Sequence, residues 1–234
     1  MVGVQQERSG DVLRLRAQLE RAQGRKLDAP VLPAHPALAS LLPGGGLRPG
    51  AAYSVSSSAS LLLALLAPLS QSGSWCAVVG MPHFGAEAAE SMGVELARLV
   101  LIPDPGERWL AVTATVAEVL PVVAVRPPRR AGDAEVSRFA ARLRDRGTVL
   151  LVQGPWPQAE ATIGVGESRW SGLGRGHGYL SGREVTVTVT SRRTPVARQG
   201  RVLLPGGDGG VVAAVDRRIR EAPASDYQPL EAVG

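Results

Sequence analysis

The chain has 234 residues, of which 44% are hydrophobic and 20% charged, a composition typical of a globular protein with one substantial core. Its apolar runs fall far short of the roughly 20 residues that a membrane span needs, and its first residues lack the apolar stretch of a signal peptide. Its one cysteine, Cys76, excludes an internal disulfide and a cysteine-based metal cluster. We expect a cytoplasmic protein with no membrane partner and with Cys76 buried in an apolar strand.

The net charge of +5 is unevenly distributed along the chain. Residues 125–220 carry +9, whereas residues 221–234 carry −3. Every basic residue except Lys26 is an arginine, and the forked guanidinium group suits phosphate and carboxylate ligands. This excess predicts an anionic partner, although arginine-rich coding in a GC-rich genome would also raise the arginine content.

Three parts follow one another in the sequence. Residues 1–36 read as an N-terminal helical arm and a proline-rich linker, because the apolar periodicity of 11–24 ends at glycine and prolines follow. Residues 37–206 read as the core domain, and residues 207–234 as a C-terminal segment with an acidic tail.

Two apolar stripes outside the core are candidate partner-binding elements. Val12, Leu15 and Leu19 share one face of the predicted N-terminal helix. Val215 and Ile219 form a second stripe beside arginines. The first stripe either docks on another protein or packs on its own domain, and the second is suited to a partner.

Short apolar runs alternate with helical runs in the first two thirds of the core. The predicted strands are 51–55, 75–80, 99–102, 122–125 and 148–153. The predicted helices are 60–70, 84–92, 107–120 and 134–146. This alternation predicts an α/β fold whose central sheet is mostly parallel and carries helices on both faces.

After residue 160 the pattern changes to alternation with a period of two residues. Residues 183–191 alternate β-branched side chains strictly, and 161–167 and 200–206 flank them, so we expect antiparallel strands at the C-terminal side. The glycine-rich run 172–182 precedes a strand and opens no helix, which excludes a dinucleotide loop and predicts a flexible hairpin loop.

Four segments in this order resemble the core of RecA-type recombinases. They are LLPGGGLRPG at 41–50, WCAVVGMPHF at 75–84, MGVELARLVLIP at 92–103 and LPVVAVRP at 120–127. Within that superfamily the chain resembles the ImuA proteins, in particular the short ImuA-prime form of actinobacterial mutagenesis cassettes. The resemblance implies a RecA-like P-loop NTPase fold.

The residues that a phosphate-binding loop requires are missing. Such a loop uses glycines that let backbone N–H groups approach the phosphates, a lysine for the β and γ oxygens, and a hydroxyl for Mg²⁺. The resemblance places Val55 at the first glycine, Ser60 at the second, Leu61 at the lysine and Leu62 at the hydroxyl-bearing residue. The remaining polarity comes from Ser56, Ser57, Ser58 and Ser60. These serines either cap the following helix or bind a lone anion.

Two further catalytic positions are vacated in the same frame. RecA-type enzymes place a glutamate just after the second strand and an aspartate after the strand that holds Mg²⁺. Pro82 and Arg126 stand there. His83 remains as a candidate base without an evident partner. We expect a degenerate ATPase fold that is not an enzyme and holds no nucleotide or metal cofactor.

Four residues are candidates for contact with single-stranded DNA. Arg126, Arg129 and Arg130 follow one predicted strand, and Trp156 follows the next. Both places match the DNA-binding loops of RecA, where arginines would contact phosphates and an exposed Trp156 would stack on a base. The alternative is a solvated arginine surface with Trp156 packed against prolines.

The resemblance implies an adaptor in SOS-induced translesion synthesis and mutagenesis. Its partners would be the ImuB-type Y-family-like protein and, through it, an error-prone DnaE-type polymerase and the sliding clamp, with association at the nucleoid after DNA damage. A SulA-like inhibitor of cell division and a residual ATP- or single-stranded-DNA-binding RecA paralogue are the alternatives, and homo-oligomerisation stays open.

Overall fold

The structure, a computed structural model, describes residues 30–173, 178–192, 194–206 and 210–213. Within these residues nine strands form one sheet. The strands are β1 (Ala52–Val55), β2 (Cys76–Val79), β3 (Leu99–Ile102), β4 (Val122–Val125), β5 (Val149–Gln153), β6 (Ala161–Leu173), β7 (Gly178–Ser191), β8 (Thr194–Leu203) and β9 (Val212–Ala213). The α-helices are α1 (Pro36–Ala39), α2 (Ala59–Gln71), α3 (Ala86–Ser91), α4 (Trp109–Ala117) and α5 (Asp133–Arg146).

The sheet has the order β3-β2-β4-β5-β1-β6-β7-β8-β9. β1 to β5 are mutually parallel, β6 continues parallel to β1, and β7 to β9 are antiparallel to their neighbours. The predicted α/β class, with a mostly parallel sheet and antiparallel strands on the C-terminal side, is confirmed. Because the strands β1 to β5 are parallel, their carboxyl ends meet at one edge of the sheet, which we call the carboxyl edge.

Two apolar layers cover the two faces of the parallel strands. Alternate strand residues point to opposite faces, and every residue of β1, β2, β4 and β5 is buried, which explains the near-continuous apolar runs of these strands, whereas the edge strand β3 is partly exposed. On one face α1, α2 and α3 pack over the sheet around Leu65 and Met92. On the other face α4 and α5 pack around Trp109, Phe139 and Leu143. The two layers hold the strand ends, and therefore the carboxyl edge, in fixed positions.

The segment that precedes β1 is more ordered than the sequence indicated. Leu32 pairs with Leu47 through two backbone hydrogen bonds, so the proline-rich segment lies against the core. α1 follows it and packs on β8, where Leu41 covers Gly200 closely enough that an added Cβ would lie 3.2 Å from its methyl groups. At the other end, β9 adds a short strand beyond the predicted core boundary at residue 206.

The predicted hairpin loop at 172–182 is wrong for most of its length. β6 and β7 extend into it from both sides and pair as far as Leu173 with Gly178. Glycine weakens a strand, but in this ribbon the backbone ladder supplies the pairing and a side chain is not required.

Two general findings concern membranes and metals. Among the residues that the structure describes, no helix is long and apolar enough to cross a bilayer. The same residues contain no cluster of three His, Cys, Asp or Glu side chains that could hold a metal ion.

Cys76 is buried in β2, as expected, and burial raises the pKa of its thiol to about 12, so at neutral pH it is protonated and unreactive.

Candidate functional site

The connection between β1 and α2 occupies the position of a phosphate-binding loop. It is closed by its own hydrogen bonds: the Ser58 Oγ accepts from the backbone N–H of Leu61 at 3.3 Å and lies 3.3 Å from the Ser60 Oγ. The backbone N–H of Ser56 donates to the carbonyl of Ile163. Ser58 is therefore the N-cap of α2, as the capping alternative predicted, and it engages one N–H that a phosphate would use.

Leu61 and Leu62 lie in the first turn of α2 with their side chains inside the core. Leu61 is 0% exposed and Leu62 1% exposed. The two positions that would carry the lysine and the Mg²⁺-binding hydroxyl thus contribute to hydrophobic packing. No cation reaches the loop from this helix turn, so the main electrostatic term for a triphosphate is missing.

A cavity of about 100 Å³ lies between the start of α2 and the vacated position Arg126. Its lining includes Leu62, Met81, His83, Arg126 and Gln153, whereas Pro82 lines the larger cleft described below. Pockets that hold drug-sized ligands measure about 300–1,000 Å³. This space is therefore too small for a nucleoside triphosphate, and the apolar side chains of α2 and of the segment after β2 take up the room.

Arg126 is exposed, but its guanidinium is engaged by the fold. Its Nε donates to the Oε1 of the buried Gln153 at 2.9 Å, which joins the carboxyl ends of β4 and β5. Pro82 is exposed on the opposite side and has no group that could orient a water molecule. His83 lines the cavity, yet its side chain makes no hydrogen bond or ion pair with another described residue.

Trp156 is buried, which contradicts the prediction of an exposed stacking residue. It is 8% exposed, and its ring meets Phe139 edge to face at 6.4 Å. Its backbone N–H donates to the buried Ser54 Oγ at 2.9 Å, and the N–H of Gly154 donates to the carbonyl of Val55. Hydrogen bonds therefore hold the segment 153–157 across the end of β1, and the indole of Trp156 is not available to stack on a base.

Two open clefts lie at the carboxyl edge on either side of a ridge formed by Pro127, Pro128 and Arg129. The larger, about 870 Å³, lies above β2 between the segments that follow β3 and β4. The smaller, about 590 Å³, lies between the segments that follow β4 and β5 and includes Arg130. Arg126, Arg129 and Arg130 are all exposed here, so the structure does bring the three predicted arginines together.

The larger cleft has walls of opposite charge. Asp104 and Glu107 line one side, and Arg126 and Arg129 line the other. Sequence reasoning did not single out the two carboxylates, because they lie about twenty residues before the arginines and only the sheet order places them opposite. The sequence did contain a signal for the walls of this cleft. Prolines follow β2, β3 and β4, and each proline restricts the backbone of the segment in which it lies.

The five partner-binding candidates lie outside the described residues. They are Val12, Leu15, Leu19, Val215 and Ile219. Their role stays a prediction.

The strand order, the position of the degenerate loop and the vacated edge define the class: the chain has a RecA-like α/β fold. The crystal structure of the RadB recombinase aligns with 76% of this chain and 97% of its own, at a TM-score of 0.56 and 16% identity, which shows the fold alone. The flagellar accessory protein FlaH from Methanocaldococcus jannaschii aligns with 74% of this chain and 92% of its own, at a TM-score of 0.48 and 13% identity.

Residues 40–158 match the family described as the MT3502 N-terminal domain, which covers just over half of the chain. The chain belongs to this family. It is 38% identical over 120 residues to the uncharacterized protein Rv3395c of Mycobacterium tuberculosis. That alignment covers 50% of this chain and 59% of the relative, so the chain matches less than two thirds of that protein's length.

Proposed function

We propose that the chain is a non-hydrolytic RecA-like accessory protein of DNA-damage-induced mutagenesis. In this role it acts as an adaptor, binding an ImuB-type Y-family-like protein and, through it, supporting an error-prone DnaE-type polymerase at the sliding clamp. The ImuA-type sequence resemblance supplies the identity of the partners.

One observation carries the adaptor role. The catalytic positions are filled by Leu61, Leu62 and Pro82, and Arg126 is tied to Gln153, while the same edge keeps two open clefts with charged walls. A RecA-like edge that lacks the lysine and the hydroxyl of a nucleotide site but keeps preformed clefts is suited to binding another protein. Opposed carboxylates and guanidinium groups favour specificity for one orientation of that partner.

The test is affinity purification from DNA-damaged cells that express either the tagged wild type or a tagged variant with a reversed charge. Arg129→Asp places a carboxylate on the ridge between the clefts, and we expect it to reduce recovery of the ImuB-type protein at least about fivefold, because like charges replace complementary ones. The matched control is Arg146→Asp, which makes the same charge change in the last turn of α5, away from the carboxyl edge.

Recovery of no polymerase-related protein by the wild type would overturn the proposal. Equal recovery by the wild type and the Arg129→Asp variant would reject the clefts as the binding surface.

A further inference from the structure

The β6–β7 ribbon projects from the carboxyl edge of the sheet. β6 pairs in parallel with β1 only as far as Ile163 opposite Val55, and the rest of β6 continues beyond the end of β1. At about 3.3 Å per residue, Trp170 lies roughly 20 Å past that end. β8 pairs with β7 as far as Glu184, and Leu204 and Pro205 continue this pairing to the backbone of Arg183. The outer part of the ribbon, which begins at the Trp170–Arg183 pair, has no third strand beyond it among the described residues.

Trp170 and Arg183 form a stacked pair on this outer part. They are directly opposite each other in the β6–β7 register. The Arg183 Cζ lies 5.6 Å from the centre of the Trp170 ring, within the range of a cation–π contact. Trp170 is nevertheless 52% exposed, so a large part of the indole stays open to solvent.

The charge of Arg183 has no carboxylate partner among the described residues, and the interaction that the structure shows for its guanidinium group is the contact with Trp170. Its Nε is buried and has no hydrogen-bond partner among the described residues. Glu184 follows Arg183 on β7, so its side chain points to the other face of the ribbon, where its carboxylate lies 3.6 Å from the Nη1 of Arg201. Arg169 is exposed and lies opposite Glu184 in the register, so it belongs to that other face and not to the face of Trp170. An exposed indole next to a guanidinium group that has no carboxylate partner among the described residues is unexplained by packing alone.

We propose that this pair is a contact site for single-stranded nucleic acid, separate from the Arg126–Arg130 edge. An unpaired base stacks on the open part of the Trp170 ring, and Arg183, on the same face of the ribbon, contacts an adjacent phosphate. Bases in a duplex already stack on each other, which is why the site selects a single strand. The proposal goes beyond the adaptor role and does not depend on it.

Trp75 gives a matched control for Trp170. It is 45% exposed, and it immediately precedes β2, which places it at the opposite edge of the sheet. Removal of either indole therefore exposes little core, and both variants are expected to fold. Only Trp170 lies on the ribbon.

The experiment is fluorescence anisotropy of a labelled oligothymidine of about 20 nucleotides, long enough for one binding site, with the wild type, Trp170→Ala and Trp75→Ala. We expect Trp170→Ala to weaken binding between about 5-fold and 100-fold, and Trp75→Ala to leave the affinity unchanged. Arg183→Lys keeps the charge but loses the planar group, and it should weaken binding less than Trp170→Ala does.

Three results would overturn the proposal. They are no binding of oligothymidine by the wild type, equal affinities for the Trp170→Ala and Trp75→Ala variants, and a duplex of the same length that competes as well as the single strand does. If Arg129→Ala reduces the affinity and Trp170→Ala does not, nucleic acid binds the carboxyl edge and not the ribbon.

Discussion

At Leu61 the nucleotide site differs from a phosphate-binding loop in the packing of the side chain as well as in the residue type. In a phosphate-binding loop this position points a lysine at the phosphates, but here the side chain is 0% exposed and packs with the core of α2. The side chain at this position has therefore become part of the hydrophobic core, and we expect that a lysine placed here would not restore nucleotide binding.

The first prediction follows from that burial. Leu61→Lys should destabilise the protein by about 3 kcal/mol or more, because an ammonium group would be buried without a partner, and it should not create ATP binding. Leu61→Met, which keeps the volume and polarity, should cost less than about 1.5 kcal/mol. Urea unfolding measures both. A Leu61→Lys variant of wild-type stability that binds ATP would show that the side chain can reach the loop.

Elements were more predictable than the contacts between them. The predicted strands at 99–102 and 122–125 coincide with β3 and β4, because short apolar runs bounded by glycine or proline have few alternatives in an α/β domain. The three vacated positions could likewise be found from the sequence, since they depend on spacing along the chain.

Trp156 could not be placed from the sequence, because its burial depends on tertiary partners. The hydrogen bond from its backbone to Ser54 joins residues 102 positions apart. The opposing walls of the larger cleft were missed for the same reason, as Asp104 and Arg126 become neighbours only through the strand order. Local pattern reveals strands and motifs, whereas exposure of a loop residue depends on what folds over it.

The second prediction concerns the fastened segment 153–157. Trp156→Ala should cost about 3–5 kcal/mol, the typical effect of removing a buried tryptophan, and it should loosen the cover over β1. The exposed Trp170→Ala is the control and should cost less than about 1 kcal/mol. Chemical denaturation compares the two, and similar losses of stability would mean that Trp156 is not an anchor.

The third prediction concerns α1 and pH. The Nδ1 of His35 accepts from the backbone N–H of Ala37 at 3.2 Å, and burial lowers the pKa of this histidine below 6.5. The folded state therefore favours neutral His35. Its contribution to stability is complete above about pH 6.5 and is lost as the pH falls from there through the lower pKa of the folded state.

The pH dependence of unfolding in the wild type and in His35→Asn tests this prediction. Asparagine caps a helix without titrating in this range, so the variant should lose less stability between about pH 7 and pH 5 than the wild type does. Parallel stability curves for the two proteins would exclude His35 as the source.

At the scale of the whole molecule, one edge of the sheet gathers the features that bear on function. The closed loop after β1, the two clefts and the base of the β6–β7 ribbon all lie at the carboxyl ends of the parallel strands. The RecA-like frame thus keeps the geometry that concentrates ligands at this edge, while the positions of the nucleotide-binding lysine and hydroxyl are buried leucines. We propose that such a frame binds macromolecules without hydrolysing a nucleotide.

Equilibrium titration of the folded protein with ATP, in the presence and absence of Mg²⁺, tests whether the nucleotide site is lost. We expect no saturable binding up to about 1 mM ATP and no difference on adding Mg²⁺, because the lysine and the metal-binding hydroxyl are both replaced by buried leucines. A dissociation constant in the micromolar range, tightened by Mg²⁺, would contradict this expectation.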